Sequence, residues 1–473
     1  MNERDFAIDV VRRLREAGHE ALWAGGCVRD ELLGLVPQDY DIAASALPEQ
    51  VQRLFRRTVS IGMSFGVIEV LGPRTPPSSP PKLGGEKGGV LKVQVATFRS
   101  DVSYSDGRRP DAVVFSSARE DALRRDFTIN GMFFDPLENR LIDYVGGQKD
   151  LQARVLRAIG DPTQRFEEDK LRMLRAVRIA TRFDLEIEPA TAESIRAQAP
   201  RIGVVSAERI AEELRKLLVD AHRARGMRWF MDLGLAEPIL PELLPMRGLP
   251  QGLPRPDSPA LPPLGQPGPV ASNGSLDLWE HILRVLDNLG SAPSFPLAMA
   301  ALLHDVGKPR TVGRTPDRYT FYNHEHVGRR MAAEICERLK LSNDEQKRIE
   351  WLVEKHQILS DARQMRPSKL KTLLIHPGIR ELFELHRADA IAAERSTDHV
   401  EYCEQLLHEW TKEELDPPPY ITGDDLIEAG YKPGPMFKKV LDGVREAQLD
   451  GTIRTKEEGW VLVRRSMEES QNG

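Results

Sequence analysis

The stretch LWAGGCVRDELLGLVPQDYDIAA, residues 22–44, sets the reading of the fold. An apolar run ends in Gly25 and Gly26, the short helical pattern VRDELLG closes at Gly34, and DYDIAAS reads as a second strand. Positions two apart in a strand share a face, so Asp39 and Asp41 are expected side by side. Adjacent carboxylates repel unless a cation lies between them, and Mg²⁺ takes hard oxygen ligands, combining one or two carboxylates with phosphates. The glycines let backbone N–H groups approach a triphosphate, helped by the N-terminus of the next helix. Arg29 adds a charge-assisted bond. A lone Asp-x-Asp is ordinarily a solvated strand end. The double glycine and the arginine at this spacing turn the reading toward a phosphate cradle followed by a metal clamp.

Working outward, residues 4–18 carry a helical stripe of Phe6, Val10, Leu14 and Ala17. GVIEVLG and VLKVQVATFR read as strands, separated by the Pro/Gly/Ser-rich PRTPPSSPPKLGGEKGG, an expected flexible insertion. MFFDPLENRLIDYVGG reads as a hairpin, and from residue 166 helical patterns dominate. Strands first and helices after predict an α+β chain. With 473 residues, more than one core is expected. The net charge of −6 excludes a uniformly basic surface but not a local basic stripe. The three cysteines, Cys27, Cys336 and Cys403, stand far apart, which excludes a disulfide framework or a cysteine-based zinc module and makes a reducing cytoplasm the expected setting. No signal peptide or membrane span is expected.

Two further clusters stand near the cradle in sequence. EDALRRDFTINGM, residues 120–132, holds Arg124, Arg125, Asp126 and Asn130. Alone it is an ordinary charged helix start, whereas beside a phosphate site the arginine pair points to a triphosphate. RFEEDKLRMLRAVRIATRF, residues 165–183, reads as one helix with Leu171, Leu174 and Val177 on its apolar stripe. Asp169, Arg172, Arg175 and Arg178 recur every three residues on a neighbouring face. A solvated face with intrahelical ion pairs accounts for that pattern. A carboxylate beside a guanidinium also hydrogen-bonds the edge of a nucleotide base, and residues 154–182 carry eight basic against four acidic side chains.

In order along the chain, GGCVRDELLG…DYDIA, ATFR, DGRRPD, RRDFTING and EEDKLRMLRAVR resemble the motifs of class II tRNA nucleotidyltransferases and bacterial poly(A) polymerases, over roughly residues 20–220. The resemblance implies a polymerase-beta-like head, a mixed sheet with helices. It implies that Asp39 and Asp41 bind catalytic Mg²⁺ and that Gly25, Gly26, Arg29, Arg124 and Arg125 hold the nucleotide, with Asp126 and Asn130 beside them. Asp169 and Arg172 would pair with the incoming base in place of a template, while Arg175 and Arg178 contact phosphates or shape the pocket. The partners implied are tRNA, CTP and ATP. One departure concerns Gln94, where many relatives carry a third carboxylate. Either two aspartates suffice, or a nearby acid such as Glu69 substitutes, or activity is reduced. RSDVSYSDGRRPD, residues 99–111, resembles a loop that disfavours addition of C alone.

Downstream, LAMAALLHDVGKPR follows an apolar helical run with His304 and Asp305, while His281 lies upstream and Asp389 downstream. This pattern resembles the HD phosphohydrolases. It implies a metal site of His281, His304, Asp305 and Asp389 for a transition metal such as Ni²⁺, Co²⁺ or Mn²⁺. His324 and His356 match further histidines of such sites, and His326 reads as surface. GYKPGPMFKK sets Lys438 and Lys439 at a helix start, where phosphate contact and a solvated face are equally good readings.

The expected organisation is a nucleotidyltransferase head at 1–150 with an insertion at 72–89, a helical nucleotide- and tRNA-binding neck at 151–245, a Pro/Gly-rich linker at 246–274, an HD domain at 275–400 and a tRNA-binding tail at 401–473. The leading function is Mg²⁺-dependent addition of CCA, or its terminal A, to tRNA. Poly(A) synthesis, an HD hydrolase acting on RNA ends, and a non-catalytic RNA-binding module are the alternatives.

Overall fold

Ala21–Ala24 (β1) is apolar and buried along its whole length, as the middle of a two-sided sheet requires. On one side it pairs antiparallel with β2 (Asp41–Ala44), which runs parallel to a strand much later in the chain. The computed structural model describes residues 2–62, 66–74, 90–101, 113–250, 277–315 and 319–471. Most of the expected insertion, of the loop at 99–111 and of the linker lies outside the described residues.

β3 (Thr58–Gly62), β4 (Val67–Arg74) and β5 (Val90–Thr97) follow, and β5 is the strand that lies beside β2. A small hairpin pairs β6 (Arg99–Asp101) with β7 (Val113–Phe115). β8 (Met132–Asp135) and β9 (Arg140–Asp143) complete a mixed sheet in the order β3-β4-β5-β2-β1-β8-β9. One face packs Leu22, Ala43, Phe98 and Phe133 into a single cluster. Helix α1 (Glu3–Glu16), capped by Asn2, buries Phe6, Val10, Val11 and Leu14. The α2 (Gly26–Leu32), α3 (Pro48–Leu54) and α4 (Ala118–Leu123) helices are short.

From α5 (Gly147–Gln152) the first unit is mainly helical: α6 (Pro162–Glu168), α7 (Leu171–Arg182), α8 (Pro189–Gln198), α9 (Ala207–Leu218), α10 (Arg223–Asp232) and α11 (Ala236–Ile239). The chain divides into two compact units, Met1–Pro241 and Glu242–Gly473. The second is mostly helical and begins with α12 (Leu278–Asn288), α13 (Phe295–Leu303), α14 (Lys308–Thr311), α15 (His324–Arg338) and α16 (Asn343–Lys355). It continues with α17 (Pro367–Leu374), α18 (Ile379–Ala392), α19 (Asp398–Glu409), α20 (Lys412–Leu415), α21 (Gly423–Glu428), α22 (Pro435–Leu449) and α23 (Lys456–Gln471). Lys438 and Lys439 fall in the first turns of α22. Among the described residues, no helix is long and apolar enough to cross a membrane.

Two expectations are corrected. Asp39 precedes β2, which starts at Asp41, so the same-face argument for the aspartates does not hold as a strand argument. Residues 165–183 are not one helix: α6 ends at Glu168, Asp169 takes extended angles (φ −145°), and α7 starts anew at Leu171.

The turn before α5 depends on a close approach. Asp143 Oδ1 accepts N–H bonds from Val145, Gly146 and Gly147 at 3.0, 2.9 and 3.1 Å. A Cβ on Gly147 would lie 2.2 Å from the Thr128 carbonyl oxygen. Gly147→Ala is therefore expected to destabilise the first unit by about 1–3 kcal/mol. Urea unfolding followed by circular dichroism checks this as a lowered midpoint; an unchanged midpoint would refute the packing argument.

Candidate active site

β1 runs into Gly25, whose φ of +76° is a conformation that a glycine adopts without strain. A Cβ there would sit 2.8 Å from Arg125 Nη1, so the missing side chain is also what lets Arg125 approach. Around this turn lies a cavity of about 480 Å³. Its wall includes Gly25, Gly26, Arg29, Asp41, Arg124, Arg125, Asp126, Asn130, Asp169, Arg172, Arg175 and Arg178. Segments more than a hundred residues apart thus meet at one place. Asp39 is exposed and is not among the lining residues.

The arginines are held by carboxylates behind them. Arg124 donates from Nε and Nη2 to Asp121 Oδ1 at 2.9 and 2.6 Å, and Arg125 donates from Nε and Nη2 to Asp121 Oδ2 at 3.1 and 2.8 Å. Burial raises the pKa of Asp121, but Arg125 and Arg124 outweigh it and the net shift is downward. Arg175 donates from Nε and Nη2 to Asp126 Oδ2 at 3.0 and 2.7 Å, while Asn130 Nδ2 donates to Asp126 Oδ1. Arg29 is buried, bonded to Asp30 and to Asn130 Oδ1 at 2.6 Å, and stacked 3.9 Å over the Phe183 ring. Burial lowers its pKa and Asp30 opposes the shift.

The break between α6 and α7 turns Asp169 into the cavity. Its Oδ1 accepts the Leu171 N–H at 3.0 Å, as an N-terminal cap does, and its Oδ2 accepts Arg209 Nη2 at 2.7 Å. Arg172 donates to Glu168 Oε2 at 2.5 Å, and Arg178 donates to Glu213 Oε2 at 2.6 Å. The ion pairs of Arg175 and Arg178 are thus tertiary, not the intrahelical set of a solvated face.

Asp41 remains accessible at the cavity wall, yet the surrounding protein raises its pKa; Arg125 opposes this and Asp39 adds to it. Asp41 stands opposite Gln94 on β5, and Gln94 stands opposite Glu69 on β4. Registered neighbours share a face, so the three form one row, with Glu69 two strand spacings, about 9–10 Å, from Asp41. Lys92 Nζ lies 3.3 Å from the Glu69 carboxylate.

The second unit holds its own cluster. His281 comes from α12, His304 and Asp305 follow α13, His324 opens α15, His356 follows α16, and Asp389 lies in α18. His304, His324 and His356 each place Nδ1 against the carbonyl three residues earlier, at 2.9, 2.7 and 2.7 Å. That arrangement fixes Nδ1 as the donor in the neutral ring and turns an Nε2 lone pair inward. His324 Nε2 and His356 Nε2 lie 3.3 and 3.5 Å from Asp305 Oδ1. His281 Nε2 lies 3.0 Å from Asp389 Oδ1. His304 Nε2 and Asp305 Oδ1 are buried without a hydrogen-bond partner, which fits a divalent cation that such a donor set would hold. His326 is exposed.

Residues 21–157 match the model of the Poly A polymerase head domain. The chain carries that head domain. Residues 184–246 match the probable RNA and SrmB-binding site of polymerase A, and residues 278–394 match the HD domain. A CCA-adding enzyme of Lacticaseibacillus paracasei is 40% identical over 238 residues, 50% of this chain and 56% of that protein. One from Ligilactobacillus salivarius is 39% identical over 230 residues, 48% of this chain and 53% of that protein. The chain thus matches about half the length of these curated relatives. The crystal structure of Bacillus stearothermophilus CCA-adding enzyme in complex with CTP shares the fold over 100% of both chains, with a TM-score of 0.69 and 24% identity.

The head-domain motifs do not include every group that shapes the cavity. Sequence reading missed Arg182, Phe183 and Arg209 in its wall, and Asp30, Asp121, Glu168 and Glu213 behind it. Arg209 and Glu213 stand four apart on α9, one face of AERIAEELRKLL, and that spacing was the available signal.

The Asp126–Arg175 pair has a pH signature. Burial raises the Asp126 pKa, but Arg175 wins and holds it below its ordinary value. Its stabilisation is complete above the unfolded value of about 3.9 and is lost as pH falls from there through the folded pKa. Asp126→Asn is expected to cost about 1–3 kcal/mol, since Arg175 is partly solvated. In urea titrations the cost should stay level from about pH 8 to about pH 5 and shrink only below about pH 4.

Proposed function

We propose that this chain is a tRNA nucleotidyltransferase that adds CCA, or its terminal A, to tRNA 3′ ends from CTP and ATP without a nucleic-acid template. One observation carries the reading: Gly25, Asp41 and the arginines of three separate motifs surround a single cavity. The names of the relatives, and of the solved neighbour in complex with CTP, support it. The setting we assign is the cytoplasm.

In this reading Arg124 and Arg125, splayed from one carboxylate, hold the triphosphate in line with the RNA 3′-hydroxyl. Gly25 and Gly26 leave room for phosphate oxygens, and Arg29 braces the same end of the site. The attacking 3′-oxygen forms a bond to the α-phosphorus and gives up its proton to solvent, the bond to pyrophosphate breaks, and the RNA leaves one nucleotide longer. Asp169 as acceptor and Arg172 as donor read the edge of the base, while Arg175 and Arg178 shape the pocket. Asp39 and Asp41 would hold Mg²⁺, which the hard-oxygen donors and the accessible Asp41 carboxylate suit. Mg²⁺ when bound supplies charge compensation at the reacting phosphoryl group and the departing pyrophosphate.

The test incubates the protein with tRNA transcripts ending before CCA, after C and after CC, with each NTP separately. Incorporation of C then A supports CCA addition, A only after CC supports terminal-A addition, and long A tracts support poly(A) synthesis. Asp39→Ala with Asp41→Ala is expected to lower incorporation by roughly a thousandfold or more while tRNA binding persists. Full Mg²⁺-dependent activity of that double variant would remove the metal assignment.

The buried, unpartnered His304 Nε2 and Asp305 Oδ1 favour a second activity, metal-dependent hydrolysis of phosphomonoesters or 2′,3′-cyclic nucleotides, with Ni²⁺, Co²⁺ or Mn²⁺ at the HD cluster. His304→Ala with Asp305→Ala is expected to abolish hydrolysis under these metals and to leave nucleotide addition largely intact. Metal content and both activities, measured on one preparation, check it. A wild-type protein that binds none of the metals and hydrolyses nothing would make the cluster structural.

A further inference from the structure

A second cavity, of about 440 Å³, opens in the second unit and includes none of the HD-cluster residues in its wall. Its volume falls in the range of small-molecule sites, about 300–1,000 Å³. Two aromatic rings form part of the wall. Trp351 on α16 and His376, just after α17, stack with centroids 3.7 Å apart and an interplanar angle of 13°. The stack is held from outside. The Gly378 N–H donates to His376 Nδ1 at 3.0 Å, and Gly378 itself has no Cβ, which would lie 2.9 Å from Trp351. Both rings remain partly accessible.

The cations of the wall complete the chemistry. Arg366 and Lys369 are exposed beside the stack, and Arg366 Nη1 is 4.0 Å from Asp450, the outer limit of an ion pair. Lys355, one turn from Trp351 on α16, lies 3.1 Å from Glu354. Glu446 is the acidic side chain of the wall and offers an acceptor to the amino group of a base. Desolvation, and then Arg348, lower the His376 pKa and favour the neutral ring, and with Nδ1 accepting the Gly378 N–H the proton of that ring is on Nε2. A preformed flat aromatic pair next to accessible cations is the combination that holds an unpaired nucleotide: the π-face takes any base and the cations take its phosphate.

We propose that this cavity binds one unpaired nucleoside phosphate, with the base against the Trp351–His376 stack and the phosphate at Arg366 and Lys369. The ligand is either free or a unit of a single-stranded RNA. The proposal does not rest on the nucleotidyl-transfer reading, because no residue of the first unit enters it.

The test labels the whole chain with 5-fluorotryptophan, which reports on six tryptophans by ¹⁹F NMR. The resonance missing from Trp351→Phe is that of Trp351. Titration with AMP and with a short single-stranded oligoribonucleotide is expected to move this resonance. A shift with both marks a site open to free nucleotide, and a shift with the oligomer alone marks a unit of an RNA chain. Arg366→Ala with Lys369→Ala should weaken the response and lower the slope of log K against log salt by about 1 for the oligomer. Two results overturn the proposal: a Trp351 resonance that neither ligand moves, or one that ribose 5-phosphate moves as far as AMP does.

Discussion

Eight arginines line the cavity of the first unit, and their mutual repulsion has to be offset before the chain can close around it. The offset comes from carboxylates set behind the wall or within it. Asp30 faces Arg29, Asp121 faces both Arg124 and Arg125, Glu168 faces Arg172, Asp126 faces Arg175, Glu213 faces Arg178 and Asp169 faces Arg209. One carboxylate serves two guanidinium groups at Asp121, so the wall keeps a positive excess. That excess suits a polyanion. The fixed partners leave the donors little orientational freedom to lose when a ligand arrives.

How much of this was legible follows from what a linear pattern contains. The glycine turn, the strands around it and the division into a mixed sheet followed by helices were readable because each rests on local periodicity or turn chemistry. The cavity residues of the motifs were readable because unlike residue types recurred at tight spacing. Three things were not. The break at Asp169 is hidden inside an otherwise regular helical pattern and is stabilised by its own carboxylate capping Leu171. The start of β2 at Asp41 depends on pairing partners, Ala21–Trp23 and β5, which no local pattern states. Asp121, Arg209 and Glu213 read as ordinary helix charges until tertiary packing supplies their partners.

The HD cluster follows a different logic. In the first cavity cations are held by anions, whereas here imidazole nitrogens are aimed by the backbone. Three histidines spend Nδ1 on carbonyls of their own preceding turn, so each Nε2 is directed inward by secondary structure alone. His324 Nε2 and His356 Nε2 face each other at 3.2 Å. With Nδ1 protonated on both rings, two lone pairs meet there, an arrangement that a shared proton or a cation relieves. Lys308 Nζ, 2.6 Å from Asp305 Oδ2, supplies positive charge to the other carboxylate oxygen. The donor set fits the cation site proposed above.

Gln94 shows how the sheet constrains the first site. Its neighbours in the row are Asp41 on one side and Glu69 on the other, so a carboxylate at position 94 would stand directly beside Asp41. Asp41 already sits where the surrounding protein and Asp39 raise its pKa against Arg125. A third negative charge would raise it further in the absence of a cation and would bind a cation more strongly in its presence. The amide relieves the first effect and forgoes the second. Glu69 does not restore the charge: it lies one strand beyond Gln94, with Lys92 against its carboxylate. In the reading proposed above, metal holding would fall to Asp41 and Asp39, and the arginines of the wall would carry a correspondingly larger share of the charge that a triphosphate brings.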